Sequence, residues 1–265
     1  MEKDIPLKTS IDVARIRRSC RIVEDTLRFL KDFIAPGIST GEIDRETEGY
    51  LSSRGARSAL KGYKGFPKSI CASVNNVAAH GIPGDYRLEP GDLISVDLTI
   101  IKDGWHGDAA WTFSVSRAEP DTERLISTAW QTNLAGIMAI RAGAKLGDIG
   151  HAISNMARKH GCVVLQDYVG HGIGEAIHEE PRIPNVGEKG QGMRIVPGMV
   201  FTVEPIITLG DEEVMVLDDG WTVVTTDGSY AAQFEHTVAV FKDRIEILTA
   251  SGFDVRKHLD QPPYF

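Results

Sequence analysis

Hydrophobic residues near the start of the chain recur at helical spacing and predict two helices. Apolar side chains at three- and four-residue intervals from Ile11 to about Ile34 predict a long amphipathic helix with Ser10 as its N-cap. A shorter helix is predicted from about Glu42 to Arg54, with Thr40 as its cap and Gly55 as its stop. The chain therefore begins with a helical pair.

The clearest strand pattern runs from Ile94 to Phe113, where β-branched and aromatic residues flank a turn at Lys102-Asp103-Gly104. Asp97 and Asp108 stand almost symmetrically about this turn, which would put them opposite or diagonal to each other on one face. Close like charges repel, and burying them is costly unless a cation compensates. This hairpin predicts a metal site, with a solvated edge position for one aspartate as the alternative.

The second half of the chain repeats the pattern of the first. A helix is predicted from about Asp121 to Ala142, and the turn Gly143–Ile149 that follows matches Gly37–Ile43. The segment Pro197–Glu204 likewise matches Pro90–Asp97, with an acid at the end of each copy. The repeat predicts two helix–helix–sheet units around a pseudo-twofold axis, with antiparallel strands in one curved sheet and helices on its outer face.

The expected architecture is an α+β fold in one domain, residues 1–265, with internal halves of about 10–115 and 120–250. Asp97 and Glu204 would face each other across the axis, and Asp108 and Glu235 add a second strand-borne acid to each half. Four carboxylates nearly balance two divalent cations, as in two-metal hydrolytic sites. His171, in a glycine-rich segment, is the candidate nitrogen ligand, and a phosphate cradle is disfavoured because no GK[ST] follows.

Composition narrows the range of partners. The net charge of −8 argues against nucleic acid and anionic membranes, and no apolar run is long enough to span a bilayer. The N-terminus does not resemble a signal peptide. The scattered Cys20, Cys71 and Cys162 form no CxxC pair and predict reduced thiols. A cytoplasmic protein is expected.

Four blocks together resemble the signature of the type I methionine aminopeptidases: GHGIGEAIHEEP, SVDLTIIKDGWHGD, MVFTVEP and AAQFEHTV. The resemblance spans residues from about 10 to 250 and implies the duplicated pita-bread fold. It also implies removal of the N-terminal methionine from nascent polypeptides by a hydroxide that two divalent metals activate. The expected partners are nascent N-termini and the ribosome, and a monomer is expected.

The resemblance assigns the metal ligands residue by residue. They would be Asp97, Asp108, His171, Glu204 and Glu235, with Asp108 and Glu235 bridging both ions. Carboxylates with one imidazole suit Co, Mn, Fe or Zn, and the sequence does not choose among them.

The resemblance also implies the catalytic residues. Glu204 would relay protons between the attacking water and the leaving amine. His178 would hydrogen-bond the scissile carbonyl, and His80 would contact the scissile amide nitrogen or the following residue. His106 and His236 flank ligands, but strand alternation turns them away, so they are expected to be structural.

A side-chain pocket is implied as well. Aromatic residues and a cysteine line it in the family, and Tyr63, Phe66, Cys71 and Trp221 stand at those positions. The chain departs from many bacterial relatives at three positions that bear on pocket shape: Leu60, Ala79 and Ile177. Separately, Asn75 and Val77 resemble a loop that holds a monovalent cation.

Three alternatives compete with this interpretation. A pita-bread peptidase acting on Xaa-Pro bonds shares the ligands but usually carries a long N-terminal domain. A non-catalytic pita-bread binding protein typically loses ligands, and all five are present here. A two-metal phosphoesterase would want basic residues near the site, where this chain has histidines and apolar residues.

Overall fold

The structure is a computed structural model that describes residues 5–117, 119–251, 257–260 and 262. Within these residues the α-helices are α1 (Ser10–Phe33), α2 (Thr40–Ser53), α3 (Pro120–Met138) and α4 (Leu146–Lys159), and a 3₁₀ turn spans Tyr63–Gly65. In the described part of the chain, no helix combines the length and apolarity needed to cross a membrane.

Helix α1 begins with a capping box one residue earlier than predicted. Its N-cap is Thr9, whose hydroxyl accepts a hydrogen bond from the Asp12 amide at 3.3 Å, while the Asp12 carboxylate accepts from the Thr9 amide at 3.0 Å. The prediction of Ser10 was therefore wrong. The better signal was an acid three residues after a threonine, because the two residues satisfy each other's free amides.

The same correction applies to α2, and α3 is shorter than predicted. Ser39, not Thr40, caps α2, and it forms a reciprocal capping box with Glu42. Helix α3 ends at Met138 instead of near Ala142, because the following turn hydrogen-bonds to a distant segment around residue 195. Long-range pairing thus overrides the local helical periodicity.

The strands of the first half are β1 (Arg57–Ser58), β2 (Cys71–Val74), β3 (Val77–Ala79), β4 (Leu93–Lys102) and β5 (Trp105–Ser114). Those of the second half are β6 (Val163–Val164), β7 (Gly170–Gly172), β8 (Glu179–Ile183), β9 (Val200–Val203), β10 (Ile206–Thr208), β11 (Val214–Val216), β12 (Val223–Thr225), β13 (Ala231–Gln233), β14 (His236–Val240) and β15 (Ile245–Ile247). Every strand pair among the described residues is antiparallel.

Regular pairing arranges these strands in four sheets. One runs β1-β4-β2 with β5 also on β4, and the largest runs β15-β14-β9-β7-β8. The two smaller sheets are β13-β10-β6 and β11-β12-β3, and the second of these pairs strands from both halves. The strands of the two halves are therefore interleaved.

The predicted hairpin is present as β4 and β5. Its two-residue turn is Asp103-Gly104, and both residues have positive φ, 50° and 83°, as expected where the turn must match the twist of the strands. Asp97 lies opposite Ala110, and Asp108 is two residues from Ala110. The two aspartates are thus diagonal neighbours on one face of the hairpin.

The sequence repeat is accompanied by a repeat of contacts. In the first half the Gly37 amide donates to the Leu88 carbonyl at 2.7 Å, and in the second the Gly143 amide donates to the Ile195 carbonyl at 2.9 Å. Both glycines have φ near +90°, a conformation that residues with a Cβ rarely adopt. The matching glycines of the sequence therefore occupy equivalent turns.

Helices cover the sheets and bury a core that both halves share. Helix α1 packs against β4 and β5, and α3 packs against β9, β10 and β13. The fully buried aromatic side chains Trp111, Trp130, Phe201 and Phe234 belong to one cluster. Burying each large apolar side chain contributes on the order of 2 kcal/mol to the stability of the fold. The shared core therefore strongly stabilises the packing of the two halves against each other.

The seam between the halves is closed by hydrogen bonds beside β5. The Glu235 amide donates to the Ala110 carbonyl at 2.8 Å, and the Thr237 hydroxyl donates to the Asp108 carbonyl at 2.8 Å. These bonds hold the strand that carries Asp108 against the segment that carries Glu235.

Candidate metal centre

Five predicted ligands converge from both halves of the chain. Asp97 and Asp108 come from β4 and β5, His171 from β7, Glu204 from the end of β9, and Glu235 from the residue before β14. Ligand atoms of Asp108, His171 and Glu235 lie within 4.8 Å of one another. His171 Nε2 is 3.5 Å from Glu204 Oε1 and 3.8 Å from Asp108 Oδ2, and Asp97 lines the same cavity as His171 and Glu204.

The imidazole of His171 presents one unprotonated nitrogen to the carboxylates. Its Nδ1 lies 3.0 Å from the Gly172 carbonyl, which can only accept, so Nδ1 carries the proton. Burial, followed by the nearby His178, lowers the pKa of His171 to about 3, so the ring is neutral at pH 7. The free Nε2 lone pair is then available to a metal ion.

Four close carboxylates, with Asp108 and Glu235 buried and Asp97 and Glu204 half-buried, are electrostatically unfavourable without a cation. Burial raises the pKa of Asp97 to about 7. Burial and the neighbouring acids raise the pKa values of Asp108, Glu204 and Glu235 well above their usual range. Asp108 Oδ1 and Glu235 Oε1 are buried without a hydrogen-bond partner. Unpaired anionic oxygens and a free imidazole nitrogen are what divalent cations bind, so these residues fit a metal site.

Thr202 orients two of the candidate ligands. Its hydroxyl donates to Glu204 Oε1 at 2.5 Å and accepts from the His171 amide at 3.0 Å. Thr202 was not among the predicted site residues. A signal existed, because Thr202 precedes Glu204 by two positions and strand alternation puts them on one face.

His178 is held beside the centre by Tyr63. The Tyr63 hydroxyl lies 2.8 Å from His178 Nδ1, and the ring centroids of His171 and His178 are 4.2 Å apart. Burial, followed by Lys64 and neighbouring histidines, lowers the pKa of His178 to about 4. The ring is therefore neutral at pH 7, even allowing for its exposure to solvent, and the Tyr63 hydroxyl can either donate to Nδ1 or accept from it.

Several predicted pocket residues form a single aromatic group. Phe66 meets Trp221 edge-on with centroids 5.2 Å apart, and His80 contacts Trp221 at 6.3 Å and Tyr168 at 5.9 Å. Cys71 pairs directly with Asp97 across β2 and β4. Tyr168 was missed, since no local pattern marks a lone tyrosine in a loop.

A cavity of about 540 Å³ opens over the candidate ligands. Its wall includes His80, Tyr168, His171, His178 and Glu204. His80 has a positive φ of 54°, which is uncommon for a residue with a Cβ and is typical of functional positions. The cavity therefore brings both accessory histidines to the carboxylates.

The three departures from the family pattern differ in where they lie. Ala79 lines the cavity. Ile177 is buried directly before His178, and Leu60 is half-buried in the turn that precedes Tyr63. The roles of Ile177 and Leu60 in a side-chain pocket stay predictions.

Two histidines predicted to be structural make structural contacts. His106 Nδ1 lies 3.0 Å from the Gly174 carbonyl, and His236 Nδ1 lies 2.9 Å from the Thr249 hydroxyl. Both side chains are buried.

Asn75 adopts a positive φ of 55°, and its side chain bonds Asp92 and the Leu93 amide. The turn between β2 and β3 is therefore well ordered by hydrogen bonds. A monovalent cation at Asn75 and Val77 stays a prediction.

Comparisons with known proteins agree with this geometry. A family profile described as metallopeptidase family M24 matches residues 14–242. Methionine aminopeptidase A from Synechocystis sp. is 46% identical over 94% of this chain and 99% of its own length. The crystal structure of methionine aminopeptidase from Rickettsia prowazekii is 42% identical, has a TM-score of 0.92, and is matched over 93% of this chain and 100% of that one.

A more distant likeness concerns the fold alone. Prolidase from Pyrococcus furiosus is 20% identical with a TM-score of 0.74, and the match covers 94% of this chain but 66% of that one. The predicted α+β pita-bread fold is confirmed. Family membership and the Asp108, His171 and Glu235 group indicate that the protein uses divalent metal. The chain belongs to metallopeptidase family M24, and within it to the methionine aminopeptidases.

Proposed function

We propose that this protein is a metal-dependent aminopeptidase that removes the N-terminal methionine from polypeptides. One observation carries the proposal. Four carboxylates and the neutral imidazole of His171 converge beneath a cavity whose wall bears His80 and His178. Full-length similarity to proteins named methionine aminopeptidase supports the same activity over the Xaa-Pro and binding alternatives.

The ligands in this proposal are Asp97, Asp108, His171, Glu204 and Glu235. When bound, two divalent ions would supply Lewis acidity and lower the pKa of water in the cavity. Asp108 and Glu235 each keep a buried oxygen without a hydrogen-bond partner, and these oxygens would be available to hold the ions.

Glu204 acts as the proton carrier. Its Oε1 is engaged by the Thr202 hydroxyl, which leaves Oε2 to take a proton from the attacking water and deliver it to the leaving amine. Burial favours the protonated form of this carboxyl, which suits a group that must hold a proton between the two steps.

His178 stabilises the reacting carbonyl. In this proposal the Tyr63 hydroxyl donates to Nδ1, so Nε2–H is free to donate to the carbonyl oxygen as negative charge develops there. His80 packs beside Trp221 and Tyr168, and it contacts the scissile amide nitrogen or the residue after it.

Tyr63, Phe66, Cys71 and Trp221 form the methionine pocket, with Leu60 and Ile177 at its edge. Aromatic rings and thiols suit a flexible thioether side chain, which makes favourable contacts with ring edges. The Phe66–Trp221 contact at 5.2 Å supports a preformed apolar wall.

Four finer statements complete the proposal. The ions are Co, Mn, Fe or Zn, and a monovalent cation binds near Asn75 and Val77. The substrates are nascent chains, met at the ribosome. The protein acts as a cytoplasmic monomer. Residues 1–265 form one catalytic domain, with halves of about 10–115 and 120–250, which the duplicated glycine turns support.

The test is peptide cleavage by metal-stripped protein that is resupplied with Mn, Fe(II), Co or Zn in turn. The substrates are a Met-Ala peptide, an N-acetylated Met-Ala peptide and an Xaa-Pro peptide. We expect metal-dependent release of free methionine from the first peptide alone, because an aminopeptidase requires a free amine.

Cleavage of only the Xaa-Pro peptide would move the assignment to that class of peptidase. Absence of cleavage with every metal, in protein that still binds two ions, would support the non-catalytic alternative. Release of methionine from the acetylated peptide would contradict recognition of the free N-terminus.

A further inference from the structure

A buried ion pair joins the start of the chain to the loop that carries His178. Lys8 Nζ lies 2.6 Å from Glu179 Oε2, and the two side chains are only 6% and 10% exposed. The second oxygen of Glu179 accepts from the Ala176 amide at 3.1 Å. Both oxygens of the residue directly after His178 are thus occupied.

The loop from Gly174 to Glu179, here called the His178 loop, is also held at its other end. The Gly174 carbonyl accepts from the His106 backbone amide at 2.8 Å and lies 3.0 Å from its Nδ1. A Cβ at Gly174 would overlap the Lys8 side chain. Lys8 is therefore close to both the first and the last residue of this loop.

The segment from Ile5 to Thr9, here called the N-terminal strap, has its own anchor on the second half. The Lys8 amide donates to the Gly198 carbonyl at 2.7 Å, in the turn before β9, the strand that leads to Glu204. Lys8 Nζ also lies 5.9 Å from the centroid of the Trp105 ring. The backbone of the strap is therefore anchored independently of the contacts that the Lys8 side chain makes with the His178 loop.

A buried ion pair is weak evidence for stability, because desolvation offsets most of the attraction. The pair does constrain the positions of its two side chains, because a buried charge separated from its partner is costly. In the described residues, Tyr63 bonds the ring of His178, and the Lys8–Glu179 pair fixes the backbone next to it.

We propose that Lys8 is a positioning residue for His178 and that the N-terminal strap sets the reach of this histidine toward the substrate carbonyl. Lys8 acts through Glu179 and touches no reacting atom. The inference rests on the proposed aminopeptidase function, in which His178 donates a hydrogen bond to that carbonyl.

The test is a double-mutant cycle between Lys8→Met and His178→Ala, with kcat and KM measured on a Met-Ala peptide. We expect Lys8→Met to lower kcat about tenfold with little change in KM, because a displacement of about 1 Å costs up to ~100-fold. In the His178→Ala background the same change should alter kcat less than about twofold, since the group being positioned is gone.

A second measurement does not depend on activity. Hydrogen–deuterium exchange of the His178 loop in the metal-free protein should be about tenfold faster in Lys8→Met, because local opening becomes easier. If Lys8→Met fails to fold, the double variant Lys8→Met with Glu179→Gln removes both charges and is compared with Glu179→Gln in the same assays.

Arg17→Met is the matched control. It breaks another tight ion pair of the N-terminal region, between Arg17 and Glu246 at 2.6 Å, which ties α1 to β15 away from His178. This variant should leave kcat within about twofold of wild type and exchange in the His178 loop unchanged.

Equal losses of kcat from Lys8→Met in both backgrounds would overturn the proposal, because the effect would then bypass His178. Unchanged exchange in the His178 loop would overturn it as well. If wild-type protein releases no methionine with any metal, the proposed function fails, and exchange alone then decides whether the strap holds the loop.

Discussion

Neutralising one acid of the centre should stabilise the metal-free protein, and more so at high pH. The perturbation is Asp97→Asn, which keeps the shape of the side chain and removes its charge. Asp97 is among the causes that raise the pKa values of Asp108, Glu204 and Glu235, so the substitution also relieves its neighbours. Among the described residues, no basic side chain is a cause that lowers the pKa of these four acids.

The size of the effect follows from the pKa of Asp97. Burial raises it from 3.8 to about 7, which corresponds to about 4 kcal/mol, because a tenfold change in proton affinity is ~1.4 kcal/mol. A raised acid pKa means that the folded protein holds the proton more tightly than the unfolded chain does. The contribution of Asp97 to the stability of folded wild type is therefore lost as the pH rises from 3.8 through about 7, and Asp97 causes no further loss above that.

The assay is urea unfolding of chelator-treated protein, followed by tryptophan fluorescence at pH 4.5 and pH 8. The stability advantage of Asp97→Asn over wild type should grow by about 3 kcal/mol between these values. The lowered pKa values of His171, His178 and His236 act in both proteins alike, and Asp97 is not among their causes. The difference between the two proteins thus reports the charge of Asp97 together with its effect on Asp108, Glu204 and Glu235.

Adding metal should narrow the difference between the two proteins at pH 8. Manganese at 100 times its dissociation constant would stabilise wild type by about 2.7 kcal/mol, and Asp97→Asn by less. An advantage of Asp97→Asn that stays constant with pH to within about 1 kcal/mol would refute the electrostatic reasoning. Equal stabilisation of both proteins by metal would remove Asp97 from the ligand set.

Three further predictions concern the cavity. Glu204→Gln should lower turnover by at least about 100-fold while the protein stays folded, as measured by steady-state kinetics and circular dichroism. Tyr63→Phe should lower kcat/KM by about 2- to 12-fold, because it removes one hydrogen bond that selects the tautomer of His178. Gly81→Ala should destabilise the protein, since a Cβ there would overlap the Ala72 carbonyl oxygen beside His80, and thermal unfolding measures the loss.

Matched controls exist for two of these. Gly49→Ala lies in α2 with no atom within 4 Å of the added Cβ, so it should stabilise the protein slightly. Tyr50→Phe removes a hydroxyl bonded to Arg54 and should leave kcat/KM unchanged. Equal melting temperatures for the two alanine variants would contradict the steric argument, and full activity of Glu204→Gln would contradict the proton relay.

The local elements and the candidate ligands could be predicted because short-range rules govern them. Alternation of side chains along β4 and β5 puts Asp97 and Asp108 on one face, and the Asp103-Gly104 turn determines the register. The N-caps of α1 and α2 were each predicted one residue late. In both cases the capping box, a local pattern already present in the sequence, was the signal that should have been used.

The contacts that orient the accessory groups could not be predicted from local pattern. Tyr63 and His178 are 115 positions apart, and Lys8 and Glu179 are 171 positions apart. Periodicity relates residues within one helix or strand, and it carries no information about which distant loops meet. Tyr168, which packs against His80 from a loop of the other half, was missed for the same reason.

The amino-acid sequence by itself determined the helices, the hairpin, the duplicated turns and the types of ligand, since each depends on neighbours within a few residues or on a repeat visible along the chain. Only the tertiary structure decided that Asp97, Asp108, His171, Glu204 and Glu235 share one buried centre. That convergence requires the two halves to pack around a common core, and the free energy that brings them together comes from apolar burial spread over the whole chain.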